Sequence, residues 1–229
     1  MSGDADRTGD DGLGPGPLPR LVVNAVVVLA LAAAAGVHYG ALRSLRVTSI
    51  NMTPTLALED RVVVRGWGSE PGRGDVVVYR SPFGGGLLVS RIVGVGGDEV
   101  ELDEDGLRVD DRPVAAADGC GASPAGAEDA GACTIPPPCQ GEHCLAQAEL
   151  LGGHRYVTRK AGALTSLHFP KRRVPDGHVF VLNDNRIDER DSRIYGSIPR
   201  DAVVGVASFV YYAFDGTGIR WDRMSRRVS

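Results

Sequence analysis

Beyond residue 43 the apolar residues of this chain arrive in short β-branched blocks and never hold a helical period, which confines most of the sequence to strands. The blocks are Arg61-Val62-Val63-Val64-Arg65, Asp75-Val76-Val77-Val78-Tyr79, Leu87 to Val95, Glu99 to Leu102, His154-Arg155-Tyr156-Val157-Thr158, His178-Val179-Phe180-Val181-Leu182 and Ala202 to Tyr212. Gly, Pro and Asp separate them, as turns between strands require. Leu107-Arg108-Val109 and Arg112-Pro113-Val114 flank Asp110-Asp111, a pair with the chemistry of a two-residue hairpin turn. Gly84-Gly85-Gly86 reads as a flexible hairpin connection. The pattern predicts an all-β antiparallel domain over residues 43–229, and by itself carries no information about activity.

Ahead of that domain the composition changes twice. Residues 1–20 place Asp4, Asp6, Asp10 and Asp11 among Gly, Pro and Ser, too polar to bury anything, and read as a disordered tail. Leu21 to Val37 then runs for seventeen residues with Asn24 as the only polar side chain, and reaches Leu42 if His38 and Tyr39 lie in a headgroup layer. That length is at the lower limit for crossing a hydrocarbon core of ~30 Å, so 21–42 is expected to be one N-terminal transmembrane helix. The small residues Ala32-Ala33-Ala34-Ala35-Gly36 support a second reading, a cleaved signal peptide. Charge does not orient the span, because Arg7 and Arg20 before it are matched by Arg43 and Arg46 after it.

The four cysteines, Cys120, Cys133, Cys139 and Cys144, fall within an Ala/Gly/Pro-rich stretch over 115–153 that Pro136-Pro137-Pro138 bars from regular structure. Two disulfides stapling an inserted loop are expected, which requires an oxidising compartment. Free thiols and a zinc site with His143 are the rival readings, although the spacing lacks the close hooks of structural zinc sites. Anchor and disulfides agree on a β domain outside the cytoplasm. With 25 basic and 29 acidic side chains the net charge is −4, and no footprint for nucleic acid appears. Metal and cofactor motifs are also missing. His154, His168 and His178 lack placed partners and read as structural or surface residues. Trp221 with Arg220, Arg223, Arg226 and Arg227 reads either as a solvated tail or as a segment at a membrane surface.

Chemistry concentrates in three blocks. The first is Thr48-Ser49-Ile50-Asn51-Met52-Thr53-Pro54-Thr55-Leu56. The second is Gly74-Asp75-Val76-Val77-Val78-Tyr79 followed by Ser90-Arg91-Ile92-Val93-Gly94-Val95-Gly96-Gly97-Asp98. The third is Asn183-Asp184-Asn185-Arg186, continuing to Asp191-Ser192-Arg193 and Tyr195-Gly196. In their order they resemble the type I signal peptidases, with their Pro-Ser-Gly-Ser-Met-x-Pro-Thr-Leu box, their Lys-Arg-x-x-Gly-x-Pro-Gly-Asp box and their Gly-Asp-Asn-Arg box. The resemblance spans Arg46 to Tyr211.

That resemblance implies a membrane-anchored domain on the trans side of the membrane that clips signal peptides with a serine nucleophile and a lysine base. It also implies where this chain departs. Asn51 stands at the nucleophile position, and its amide nitrogen, delocalised into the carbonyl, cannot be activated for attack. Ser90 stands at the lysine position and cannot serve as the base. Asn183 replaces the leading glycine of the third box, and Glu189 the serine that holds the lysine. Ser49 keeps the oxyanion position, with the Asn51 backbone N–H beside it. Met52 and Pro54 are implied cleft residues; Arg91, Asp184, Arg186, Asp191, Ser192 and Arg193 are the implied scaffold. The expectation is a catalytically silent protein that binds signal peptides or other extended segments, or a partner such as an active signal peptidase. The alternative is catalysis by Ser90 with Glu189 as its base; Ser49 as the attacking group would have to leave the oxyanion hole and would find no base.

Overall fold

The computed structural model describes residues 17–38, 42–66, 70–103, 106–114, 144–161 and 168–228. The chain divides into two units, Met1–Ala41 and Leu42–Ser229. The first contains one helix, α1 (Pro17–His38). Among the described residues no helix is long and apolar enough to cross a membrane. Cys120, Cys133, Cys139 and the side chain of Cys144 lie outside the described residues, so the disulfide expectation does too.

The second unit is β throughout. In chain order its strands are β1 (Leu42–Arg46), β2 (Arg61–Arg65), β3 (Val76–Arg80), β4 (Leu87–Val95), β5 (Glu99–Leu102), β6 (Leu107–Val109), β7 (Arg112–Pro113), β8 (Cys144–Leu151), β9 (His154–Ala161), β10 (Phe169–Arg173), β11 (His178–Leu182), β12 (Ile198–Pro199) and β13 (Val203–Tyr212). One short helix, α2 (Ser192–Tyr195), is capped by the Asp191 carboxylate, which accepts from the Arg193 N–H. Seven strands form the main sheet in the order β1-β2-β13-β3-β4-β11-β12; β10-β5-β6-β7 form a second sheet, and β8-β9 a separate hairpin. All their pairings are antiparallel. Asp110 and Asp111 both have positive φ, 51° and 63°, the conformation a two-residue hairpin turn needs.

Three apolar clusters hold the domain. One joins the second sheet to β4, β9 and β11 through Val93, Leu102, Tyr156, Phe169 and Phe180. Another packs Val77, Tyr79, Ile92, Val179, Val181 and Ile198 on the main sheet. The third, formed by Met52, Leu56, Val62, Val76, Ala207 and Val210, lies directly beneath the 51–56 turn. That turn is therefore pinned by burying Met52 and Leu56, each worth roughly 1.5–3 kcal/mol of side-chain transfer.

Two segments depart from the reading of the sequence. Regular structure resumes at Cys144 and not at His154, because β8 pairs with β9 along its whole length, from Cys144↔Ala161 to Leu151↔His154. Its sequence, Ala146-Gln147-Ala148-Glu149, has no β-branched residue and carries little strand signal of its own. The C-terminal segment is also part of the fold, whereas a solvated tail or a membrane-surface segment was expected. Where β3 ends, residues 225–228 take its place beside β13: Ser225 N–H donates to the Val210 carbonyl, Val210 N–H to Arg226, and Val228 N–H to Ser208.

Candidate functional site

The 51–56 turn is built by local hydrogen bonds and then gripped by a distant loop. Thr53 N–H donates to the Ile50 carbonyl at 3.1 Å and Leu56 N–H to Met52 at 2.9 Å. Three consecutive residues after β11 then reach it in sequence. The Asn183 side chain meets the Asn51 side chain, Asp184 accepts the Thr55 hydroxyl, and the Asn185 backbone N–H donates to the Asn51 carbonyl at 2.9 Å. The Asn185 amide adds a 3.3 Å bond to the Ile50 carbonyl.

At the centre lie three uncharged side chains. The Asn51 Nδ2 donates to the Val89 carbonyl at 2.7 Å and to Asn183 Oδ1 at 3.2 Å. The Ser90 hydroxyl donates to the same Asn183 Oδ1 at 2.8 Å. Asn183 is fixed in turn by its own Nδ2, which donates to the carbonyls of Asp188 and Arg190 at 3.2 and 3.3 Å. Tyr79 completes the group, its hydroxyl 3.2 Å from Ser90 Oγ. Burial pushes the Tyr79 phenol well above its ordinary value, so it stays protonated. Ser90 is fully buried, and hydrogen bonds join the Asn51, Asn183, Ser90 and Tyr79 side chains in one network. Ser49 sits beside it, its hydroxyl oxygen accepting the Asn51 backbone N–H at 3.3 Å.

No hydrogen bond joins Ser90 to Glu189, the pairing on which the alternative reading rests. Ser90 spends its donor on Asn183, and Glu189 lies half-exposed in a shallow depression lined by Ile50, Ile187 and Ile194. The physical reason is the turn over 187–190: its carbonyls face inward to clasp Asn183, which leaves Glu189 on the outer side. Asn183, noticed in the sequence only as a departure from a glycine, is the hub of the site.

Around this network lie buried ion pairs. Arg91 and Asp184, both fully buried, form a two-pronged pair at 2.8 and 2.7 Å. Arg91 also donates to the Gly74 carbonyl at 2.7 Å and lies 3.7 Å over the Tyr156 ring. Burial alone would lower the Arg91 pKa; the charge and hydrogen bonds of Asp184 more than offset it and leave it raised. Gly74 is glycine for space: its φ is +91°, and a Cβ there would come within 2.4 Å of the Leu151 carbonyl. Arg186 pairs with buried Glu149 at 2.6 Å, and Arg193 with Asp191 at 2.7 Å. Ser192 donates nothing to the centre; its hydroxyl accepts the Val181 N–H at 3.0 Å and so holds α2 against β11.

Sequence reasoning missed Arg223 and Asp60. Arg223 Nη2 donates to Asp60 at 2.6 Å and to the Thr55 carbonyl at 3.2 Å, while Asp60 accepts the Ala57 N–H at 2.8 Å. Both side chains are buried, so the C-terminal segment ties down the far end of the turn that carries Asn51. One arginine among several near a terminus offers no signal of this in the sequence. His154 stands 3.6 Å from Asp75 across the surface. Among the described residues no three His, Cys, Asp or Glu side chains gather as a metal site would need.

A groove of about 420 Å³ opens from Ser49 and Asn51. Its floor is Val62, Val64, Val78 and Ala207, its walls include Leu45, Val47, Leu87 and Val89, and Phe83, Ile194 and Tyr195 stand at its rim. Asp188 and Arg190 close one end as an ion pair at 2.7 Å. The arrangement offers an apolar trough with hydrogen-bonding groups along one side. It presents neither an activated oxygen nor a basic nitrogen at its polar end.

Residues 20–212 match the family model described as signal peptidase, peptidase S26. Signal peptidase I U of Bacillus subtilis (strain 168) is 25% identical over 168 residues, which are 72% of each chain. Signal peptidase I of Bacillus amyloliquefaciens is 24% identical over 192 residues, 82% of this chain and 83% of that one. Signal peptidase I of Rickettsia akari (strain Hartford) is 26% identical over 161 residues, and there the match spans about half of the relative, 54%. Among solved structures, a signal peptidase I from Enterococcus faecalis V583 aligns at 23% identity over 60% of this chain and 97% of that one, with a TM-score of 0.32.

Proposed function

This chain belongs to the signal peptidase family, peptidase S26, and we propose that it is a silent member, one that retains the family's groove without its chemistry. Removal of signal peptides is the function that membership supports for the family. In this copy the seats of attacker and base are read as Asn51 and Ser90. The observation that carries the reading is Asn183 Oδ1, which accepts from both of them and joins them in one neutral network. A general base needs a lone pair basic enough to take a proton near neutrality, and a hydroxyl nucleophile needs such a base beside it. The network supplies neither.

What the site offers in place of catalysis is a sheet edge. β11 pairs with β4 only between Arg91 and Val95, so the preceding residues of β4 have no strand on that side. An extended polypeptide can add there as a further strand, with its side chains in the apolar groove. The proposed role is capture of a signal peptide or another extended segment, or of a partner protein such as an active signal peptidase. The proposed setting is a membrane anchored at 21–42, with the β domain facing the periplasm or exterior, where the cysteines of 115–153 would form disulfides. The apolar run Leu21 to Val37 supports the anchor.

The test is a processing assay with purified full-length chain in detergent and a membrane preprotein. No processing of the preprotein, together with binding of a synthetic signal peptide added to the protein, is the expected result. Steady processing that disappears in Ser90→Ala would replace this reading with an active peptidase that uses Ser90.

A further inference from the structure

The backbone of β4 fixes how an added strand must lie. Ile92 N–H donates to the Asp75 carbonyl and Gly74 N–H to the Ile92 carbonyl, so residue 92 faces β3 with both its polar groups. In an antiparallel ladder this alternates, which turns Ser90 toward β3 and Leu87 and Val89 away from it. The Val89 carbonyl therefore points into the groove, and the donor it has found is an amide N–H, that of Asn51. A side-chain amide already occupies the place that the N–H of an incoming strand would take.

The side chains follow from the same register. Val78 is the Cα partner of Val89, and Ala207 that of Val64, so these residues share one face of the sheet and form floor and wall together. A strand added to β4 presents every second side chain to that face, about 6.8 Å apart along the strand. Below them lies about 420 Å³ of apolar trough, against roughly 30 Å³ for the share of one liquid water. Above, the rim leaves Phe83 75% exposed, Ile194 57% and Leu87 44%, apolar surface that a short side chain would not reach. A methyl group in this trough forgoes contact with both floor and rim, and dispersion contacts are lost outright where no atom faces the wall.

We propose that the groove selects extended segments carrying bulky aliphatic or aromatic side chains two residues apart, in contrast to the small side chains that mark a signal-peptide cleavage site. This rests on the peptide-binding reading above. Phe83 is then the specificity residue at the rim: it stands on the Gly84-Gly85-Gly86 hairpin, edge-on to Tyr195 at 5.3 Å, and closes over the occupant's side chain.

The experiment is fluorescence anisotropy of full-length protein in detergent with labelled synthetic peptides of one extended sequence. The peptides carry Ala/Ala, Leu/Leu or Phe/Phe at positions i and i+2, or Leu/Leu at i and i+1. Leucine at i and i+2 is expected to bind about tenfold or more tighter than alanine, and the i, i+1 peptide to lose most of that gain, since one leucine then faces solvent. Phe83→Ala is expected to weaken the leucine peptide more than the alanine peptide. Equal or tighter binding of the alanine peptide, or equal binding of the two leucine registers, overturns the selectivity while leaving peptide capture in place. Failure of every peptide to bind overturns capture itself and the selectivity with it.

Discussion

Ser90 donates its hydroxyl hydrogen to Asn183 at 2.8 Å, across ninety-three residues of sequence, inside a core from which water is excluded. In the proposed reading, the silence of this site is a property of three positions. Restoring the family's residues at two of them leaves the third in the way.

Asn51→Ser alone is expected to leave processing undetectable, because losing one member of such a catalytic unit already lowers turnover about a millionfold. Asn51→Ser with Ser90→Lys should remain far below a functional enzyme. The Asn183 carboxamide oxygen would accept from the new ammonium group and hold it protonated. Adding Asn183→Gly removes that acceptor, and processing of a preprotein on a gel should appear only in the triple variant or be far stronger there. Equal activity in the double and triple variants would show that Asn183 plays no part.

Asn51→Ala should strengthen peptide capture. The carboxamide now occupies the Val89 carbonyl, and a bound strand must displace it. A net hydrogen bond of about 0.5–1.5 kcal/mol corresponds to roughly a two- to tenfold lower Kd. Weaker binding of Asn51→Ala, measured with the leucine peptide, would mean that the carboxamide contacts the peptide itself.

Arg223→Ala should destabilise the domain from a position outside the residues that match the family model, which end at 212. It leaves buried Asp60 without its partner and the Thr55 carbonyl without a donor. Breaking a buried pair by removing one partner costs about 3–5 kcal/mol, which for a domain of this size lowers Tm by roughly 6–20 °C. Thermal unfolding followed by circular dichroism measures it. A Tm within a degree or two of the parent would place the C-terminal segment outside the cooperative fold.

Peptide binding should be flat between about pH 6 and 9, where a lysine-based site would titrate. Asn51, Asn183 and Ser90 carry no charge, and burial pushes the rim phenol of Tyr195 up to about 12. The titrating group at the groove is Asp188, held below the usual carboxylate range by the hydrogen bonds of Arg190. Its folded pKa is depressed, so its ion pair contributes fully above the unfolded value of about 3.9 and is lost as pH falls through the folded one. Affinity should therefore fall only in acid. A titration of Kd with a midpoint near neutrality would contradict this composition of the site.

Much of the fold was legible because its signal is local. The strands read at 61–65, 87–95, 99–102, 107–109 and 178–182 coincide with β2, β4, β5, β6 and β11, where β-branched runs end at glycine, proline or acidic turns. The strand β8 was not legible, since Ala-Gln-Ala-Glu has no preference that survives outside the hairpin; Glu149 stays buried there because Arg186 comes from another part of the chain to meet it. The place of residues 225–228 was equally hidden, because β13 is vacant on that side only after β3 has ended.

For the site the division is sharper. An amide at 51 and a hydroxyl at 90 are matters of covalent structure, and their chemical limits hold in any conformation; the sequence alone therefore determined that residue 51 cannot be an oxygen nucleophile and residue 90 cannot be a basic nitrogen. Whether those two groups would meet Glu189, each other or something else was decided by the closing of the chain. A hydrogen bond depends on two atoms coming within about 3 Å, and distances between residues so far apart in sequence are set by packing. Packing brought Asn183 between them.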